Sequence, residues 1–187
     1  ILETVEIARD TNLSDFRLHV QYVNRPNLDF RGFSGTIASG IIRRGDLVMA
    51  LPSRKTSHVK EIVTYDGNLD EAWAGQAITL TLTDEIDISR GDMLVRTDQV
   101  PPVSNRFAAT VVWMAEQPMT PGRQYYLKQG SSMASATVSK LLYKTDINTL
   151  QRRSDEADLQ VNEIGLCQLT VNQPLAFDPY SRNRSTG

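Results

Sequence analysis

The stretch Gln21-Tyr-Val-Asn-Arg-Pro-Asn-Leu-Asp-Phe-Arg-Gly-Phe-Ser-Gly-Thr-Ile-Ala-Ser-Gly-Ile-Ile-Arg-Arg-Gly-Asp-Leu-Val48 constrains the fold most strongly. Glycines at 32, 35, 40 and 45 divide it into short apolar or β-branched runs. Glycine reaches φ > 0 without steric cost, so this spacing punctuates strands with tight turns. Just upstream, Phe16, Leu18, Val20 and Tyr22 alternate with Arg17, His19, Gln21 and Val23, the period of a strand with one face on a core. That pattern predicts Tyr22 on the core face and His19 at an exposed or edge position. Pro26, which cannot donate to a ladder, ends the strand.

The same grammar continues downstream. Runs at 33–39, 47–51 and 58–65 precede an Asp66-Gly67 turn, and Ala74-Gly75 makes another. In 77–83, Ile78, Leu80 and Leu82 share a face, and an Arg90-Gly-Asp92 turn leads into one more strand. Strands and turns recur roughly every 8–12 residues with no long helical period, which predicts a small closed barrel. Val100-Pro-Pro-Val103 is a short stiff connector. Beyond it Phe107, Ala109, Val111 and Trp113 share a face, 118–122 is a turn, and 123–129, 133–143 and 163–171 read as strands. The polar stretch 146–162 reads as a loop and 174–180 as extended chain. The expected fold class is all-β, two consecutive small antiparallel β-barrels at 15–100 and 101–187. Residues 1–8 have the spacing of a last helical turn or two, followed by a polar linker at 11–15.

Composition excludes several function classes. The formal net charge is −2; residues 1–100 carry 11 Lys/Arg against 15 Asp/Glu, and the remainder 9 against 7. Neither half has the basic surface of a nucleic-acid binder working through bulk electrostatics. Cys167 is the single cysteine, so no intrachain disulfide forms, and a reducing, cytoplasmic compartment is expected. No run approaches the roughly 18 consecutive apolar residues of a membrane span, and the first residues lack the pattern of a signal peptide.

Candidate chemistry is sparse. Gly40-Ile-Ile-Arg-Arg-Gly45 has the two-glycine spacing of a phosphate-binding loop, but Asp46 and Leu47 stand where such a loop needs Lys and Ser/Thr. A carboxylate there repels phosphate, so a hairpin turn is the better reading. Asp29-Phe-Arg-Gly32 matches a four-residue γ-phosphate pattern that is common by chance. His19 and His58 have no second metal-type ligand at a useful spacing. Cys167, between Leu166 and Leu169, reads as a buried structural thiol. Asp84-Glu-Ile-Asp87 reads as a solvated loop because no glycine-paced ligand loop surrounds it. Arg43-Arg44 and Arg152-Arg153 read as solvated turn charges. No catalytic, cofactor or metal constellation emerges.

A resemblance adds what spacing alone does not. Phe33-Ser-Gly-Thr-Ile-Ala-Ser-Gly-Ile-Ile-Arg-Arg-Gly-Asp46 resembles the second-domain pattern Gly-x-Ile-x-x-Gly-x-Ile-x-x-Gly-Asp of translation-factor-type GTPases. Ala74-Gly-Gln-Ala-Ile78 and Ile88-Ser-Arg-Gly-Asp92 resemble later turns of that domain, in the same order. Within this superfamily, five stretches resemble the large, GTPase subunit of prokaryotic heterodimeric sulfate adenylyltransferases. They are 21–32, 82–92, Val112-Trp-Met-Ala-Glu-Gln-Pro118, Asp146-Ile-Asn-Thr-Leu150 and 174–180.

The resemblance implies that residues 1–14 are the end of a GTP-binding domain and its linker. It makes 15–100 domain II and 101–187 domain III, the latter truncated at its C-terminal strands. GTP and Mg2+ are then expected in an N-terminal domain not included in this sequence. The implied function is that of a non-catalytic barrel portion coupling GTP hydrolysis to ATP + sulfate → adenosine 5′-phosphosulfate + pyrophosphate. The implied partners are the small catalytic subunit and the chain's own GTP-binding domain, with no nucleic acid and no membrane. Arg25, Asp29 and Arg31, in the loop stiffened by Pro26, are the expected interdomain contact, because they offer charge-assisted hydrogen bonds. The rivals are tRNA-binding barrels of an elongation-factor-type GTPase and a stand-alone protein-binding module. The resemblance is also compatible with an adenylylsulfate kinase fused downstream, as in some members of the family.

Overall fold

Short runs of β-branched and apolar residues between turns give strands throughout the computed structural model, which describes residues 11–27, 29–154 and 156–187. The proposed helical turn at 1–8 lies outside these residues. The chain divides into two units. The first holds the described residues up to Pro102 together with Gly130–Ser132 and Ala176–Gly187; the second holds Val103–Gln129 and Met133–Leu175.

The first unit contains β1 (Arg17–His19), β2 (Tyr22–Asn24), β3 (Gly32–Ser39), β4 (Ile41–Arg43), β5 (Leu47–Leu51), β6 (Thr56–Thr64), β7 (Gly67–Leu69), β8 (Glu71–Trp73), β9 (Ala77–Leu82) and β10 (Met93–Arg96). Six of these close a ring, in the order β1-β10-β5-β6-β9-β3 and back to β1, all antiparallel. Closure leaves the ring strands without a free edge. β2 and β7 extend it as hairpin partners of β3 and β6, and β4 pairs with β8 as a separate ribbon. The turn from β3 to β4 needs Gly40: its φ is 78°, and a Cβ would lie 2.4 Å from the backbone of Phe16. Phe16, Leu18, Phe33, Ile37, Val48, Ile62, Leu80 and Leu94 fill the interior.

The first strand departs from its predicted alternation. Phe16 through Val20 are all buried, whereas Tyr22 is 62% exposed. His19, expected at an exposed or edge position, is only 8% exposed. Tyr22 begins a separate strand, β2, so the alternation of β1 does not reach it, and His19 is buried by cover on the other face of β1. Gly130 packs on the His19 ring, so that a Cβ there would lie 2.7 Å from it, and Ser131 Oγ donates to Val20 O at 2.7 Å. Arg17, with no exposed surface, meets Asp178. Period two reports one buried face only where the other face is wet.

The second unit contains β11 (Val103–Val112), β12 (Gln124–Gln129), β13 (Ser132–Thr145), β14 (Arg152–Arg153) and β15 (Ile164–Ala176). They form one antiparallel sheet in the order β11-β15-β13-β12, with β14 added at the end of β13. Two irregularities, at Val138/Lys140 and Leu141/Tyr143, bend the long β13–β15 ladder. The segments predicted separately at 163–171 and 174–180 join into one strand as far as Ala176. The predicted loop at 146–162 contains the short β14, where Arg152 lies 4.7 Å above the Tyr143 ring. Met119, Val138, Leu141, Leu159, Cys167 and Leu169 form the core.

The division after Pro102 falls at the diproline connector. Residues 130–132 and the last twelve residues group with the first unit. Side-chain chemistry explains the latter. Residues 176–187 carry few apolar groups, and what they offer is a set of polar partners for Arg17, Asp15 and Ser39.

Candidate functional site

The loop 24–31 is built locally. Asn27 Oδ1 accepts the N–H groups of Asp29 and Phe30 at 3.0 and 2.9 Å, an Asx turn that reverses the chain after Pro26. Gly32 then starts β3 where a Cβ would lie 2.4 Å from the Thr79 methyl and 2.8 Å from the Phe30 ring, so only glycine allows this approach. β3 pairs with β9, and the connection from β9 to β10 brings the acidic stretch Asp84–Asp87 beside the loop.

Two of the three predicted contact residues meet that acidic stretch. Arg25 Nη2 lies 3.7 Å from Glu85 Oε1, and Arg31 Nη2 lies 3.9 Å from Asp87 Oδ1. Arg31 also sits 5.5 Å above the Phe33 ring and is 23% exposed. Asp29 is exposed. Ion pairs of this length at a surface are worth about 0–1 kcal/mol. The two arginines are therefore held only weakly by these carboxylates. Asp84 plays a different part: its carboxylate accepts from Ser57 Oγ at 2.8 Å and its N–H donates back at 3.0 Å, which pins the base of the acidic loop.

The glycine turn 40–45 offers no cradle for a phosphate. The Arg43 N–H donates to Asp46 Oδ2, Arg44 N–H to Asp70 O, Gly45 N–H to Val59 O and Asp46 N–H to Arg43 O. These four amides are already used. Arg43 pairs with Glu71 at 2.5 Å. His58 lies on β6 with an exposed side chain. Among the described residues no group of three or more His, Cys, Asp or Glu side chains gathers to hold a metal ion. Cys167 is fully buried, and burial raises its thiol above the usual range, which suppresses the thiolate.

Sequence reasoning missed two charged clusters. In the first unit, Arg17 Nε and Nη2 donate to both oxygens of Asp178 at 2.9 Å, with side chains 1% and 2% exposed. Thr186 Oγ1 donates to Asp178 Oδ2 at 2.6 Å, and Asn183 Nδ2 reaches Ser39 Oγ at 2.8 Å. Burial pushes the Asp178 carboxyl upward, but the Arg17 and Thr186 hydrogen bonds outweigh it and hold the group below the ordinary range. In the second unit, Lys144 Nζ contacts Glu163, Glu156 and Asp158 at 2.6, 3.2 and 3.8 Å. A cleft of about 310 Å3 adjoins it, lined in part by Asp146, Ile147, Arg153 and Val161. The Lys144 hydrogen bond holds Glu163 below the ordinary range despite its partial burial. The available signal was a charged residue within an apolar strand, Arg17 and Lys144 alike. Partners as far away as 161 positions, in the case of Asp178, left nothing local to read.

Residues 106–187 match a family model described as GTP-eEF1A C-terminal domain-like. The whole chain is similar to sulfate adenylyltransferase subunit 1 of Chromobacterium violaceum, at 57% identity over 188 residues covering 39% of that protein. It is 54% identical over 187 residues to the subunit 1 of Teredinibacter turnerae, covering 40% of it. The chain thus spans about two fifths of the length of these curated relatives. A crystal structure of Sup35 complexed with GMPPNP superposes with a TM-score of 0.81 at 16% identity, over 100% of this chain and 46% of that one. That likeness shows the all-β fold.

Proposed function

We propose that this chain, homologous along its whole length to two fifths of sulfate adenylyltransferase subunit 1, is the non-catalytic β-barrel portion of such a subunit. The similarity over all 187 residues at 54–57% identity carries this reading, because it includes both units and the loop 24–31. The parent assembly would convert ATP and sulfate to adenosine 5′-phosphosulfate and pyrophosphate in the cytoplasm, with the adenylyl transfer on a separate small subunit. GTP, held with Mg2+ upstream of these residues, would supply the free energy for that uphill step.

The residues present here have a mechanical part. A closed ring of six strands moves as one body, because every ring strand is paired on both sides. Arg25 and Arg31 trade Glu85 and Asp87 for acceptors on the GTP-binding domain in one state of the cycle and return to them in the other. Asp29, exposed beside them, accepts from donors on the same partner.

The test uses the full parent protein with its small subunit. Pyrophosphate release from ATP and sulfate is measured with and without GTP, in wild type and in Arg31→Ala. GTP-stimulated release in the wild type and a several-fold smaller stimulation in the variant support the reading. No sulfate-dependent release in the wild type overturns it, and unchanged stimulation in the variant removes Arg31 from the contact.

A further inference from the structure

The first barrel begins at residues 11–16, and this short stretch is held by an unusual number of side chains. Asn12 Oδ1 accepts the N–H groups of Ser14 and Asp15 at 2.8 and 2.9 Å, and Asn12 Nδ2 donates to Asp15 Oδ2 at 2.9 Å. Gly40 N–H donates to Asn12 O at 2.7 Å, Ser39 Oγ to Asp15 O at 2.6 Å, and Phe16 N–H to Gln99 Oε1 at 3.3 Å. The C-terminal segment supplies the rest. Arg182 Nε and Nη2 donate to the two Asp15 oxygens at 3.0 and 2.6 Å, and Arg182 O accepts from Asn12 Nδ2 at 3.1 Å. This fork holds the Asp15 carboxyl below the ordinary range, against the opposing effect of burial.

That segment is itself rooted. Asp178 forms the buried fork with Arg17, Thr186 closes on Asp178, and Asn183 reaches Ser39 at the end of β3. Arg182 and Asn183 N–H both donate to Pro179 O, which folds 179–183 into a compact turn. The two forks divide the labour. Arg17–Asp178 lies wholly inside and fixes the segment to the barrel, while Arg182, with a side chain 61% exposed, extends from it and grips the stretch 12–15. Holding a chain reversal needs only its local turn; a second clamp from 167 positions away fixes its direction relative to the barrel.

We propose that Arg182 is a positioning residue. It brings residues 176–187 to bear as a brace that sets the direction in which the chain passes into the first barrel at 11–15. Displacement of whatever precedes residue 11 then moves the barrel as a lever rather than being absorbed in a slack linker. The brace stands on the contacts above; its use in GTP coupling rests on the function proposed for the parent protein.

The experiment compares wild type, Arg182→Ala and Arg182→Lys in the full parent protein with its small subunit. Backbone hydrogen exchange is read at Ser14, Asp15 and Gly40, with β5 and β9 amides as internal controls. Arg182→Ala is expected to exchange about 10-fold or more faster at those three amides with the controls unchanged, and Arg182→Lys, which keeps the charge and loses the fork, to fall between. Exchange unchanged in Arg182→Ala overturns the brace whatever the enzymology shows. The second readout is pyrophosphate release with and without GTP. A several-fold lower GTP stimulation, with basal release unchanged, supports the lever. Faster exchange with full stimulation overturns it. Absence of sulfate-dependent release in the wild type overturns the functional reading and the lever together, while the exchange result still decides the brace.

Discussion

The two units are both antiparallel and both all-β, yet they are held together differently. In the first, six strands close on themselves and the interior residues Phe16, Leu18, Ile62, Leu80 and Leu94 have no exposed surface. In the second, the described pairings leave β11 and β12 at the two ends of a sheet, and Phe107, Val111, Tyr125 and Leu127 on those strands are only partly buried. Closure lets each strand shield its neighbours on both sides, whereas an end strand shields on one. The first unit also spends charge inside: Arg17–Asp178 is buried, while the Lys144 cluster keeps its carboxylates in contact with water. The difference separates a rigid body from one whose margin rests on fewer buried side chains.

The largest difference between the units is expected at Asp178. Asp178→Ala leaves the buried Arg17 guanidinium without its counter-charge, keeping only the hydrogen bond to Phe16 O, and a cost of about 3–5 kcal/mol is expected. Each unit carries one tryptophan, Trp73 in the first and Trp113 in the second, so Trp113→Phe and Trp73→Phe backgrounds report the units separately in denaturant titrations. The Trp73 transition should move and the Trp113 transition should not; equal movement of both would mean the units do not unfold separately. Next in size is a matched truncation in the two cores. Leu80→Ala, at a fully buried ring position, is expected to cost about 2–5 kcal/mol. Leu127→Ala, on the end strand β12, should cost distinctly less, about 1 kcal/mol, because part of its surface is already wet. Equal costs would show that β12 is as enclosed as the ring.

The pH response sharpens the same contrast. Both histidines lie in the first unit, and burial lowers the pKa of His19 from its ordinary value near 6.5, with Nδ1 left without a hydrogen-bond partner. Below about pH 6.5 the unfolded chain takes up a proton that the folded chain resists, so folding weakens as pH falls through that window. The lowered carboxyls act later. The stability from Asp15 and Asp178 is complete above their unfolded values near 4 and is lost only as pH drops through the folded ones. Between pH 7.5 and 5.5 the Trp73 transition should shift to lower denaturant and the Trp113 transition stay in place. His19→Gln should abolish the shift; its persistence there would assign the window to another group.

How much of this was legible depended on how local the cause was. The β3 and β5 strands, the Asp66-Gly67 and Ala74-Gly75 turns and the buried Cys167 follow from neighbours within a few positions. The all-β class is likewise local. His19 departs from its expected place because the alternation of one strand does not tell what covers its second face, and that cover comes from residues 130, 131 and 178. Tyr22 instead starts a separate strand, β2, in which the alternation of β1 does not continue. The tail 176–187 was read as the end of the second domain because a polar segment has no period to follow. Its partners are Arg17, Ser39 and Asp15, and nothing in a polar string names a partner that far away. In the loop 24–31 the arginines were visible, but the acidic groups they meet at 85 and 87 come from a different connection of the barrel.

The smallest expected effect on stability tests the surface where the first unit is least committed. Arg31→Ala removes a 3.9 Å ion pair to Asp87 and a stacking contact on Phe33, and should lower stability by no more than about 1 kcal/mol. Arg31→Glu places like charges beside Asp87 and should cost little more, since Asp87 is 81% exposed and salt and solvent screen it. If this loop meets a partner, the two variants must separate: nearly equal in the melting of the isolated chain, but unequal in the parent protein, where Glu repels the acceptors that Ala merely fails to reach. Identical behaviour of the two in the parent protein would leave Arg31 as a packing residue of the barrel wall. A graded loss in the parent, at equal melting, would show that the weak pair with Asp87 is a resting position for a group whose use lies elsewhere.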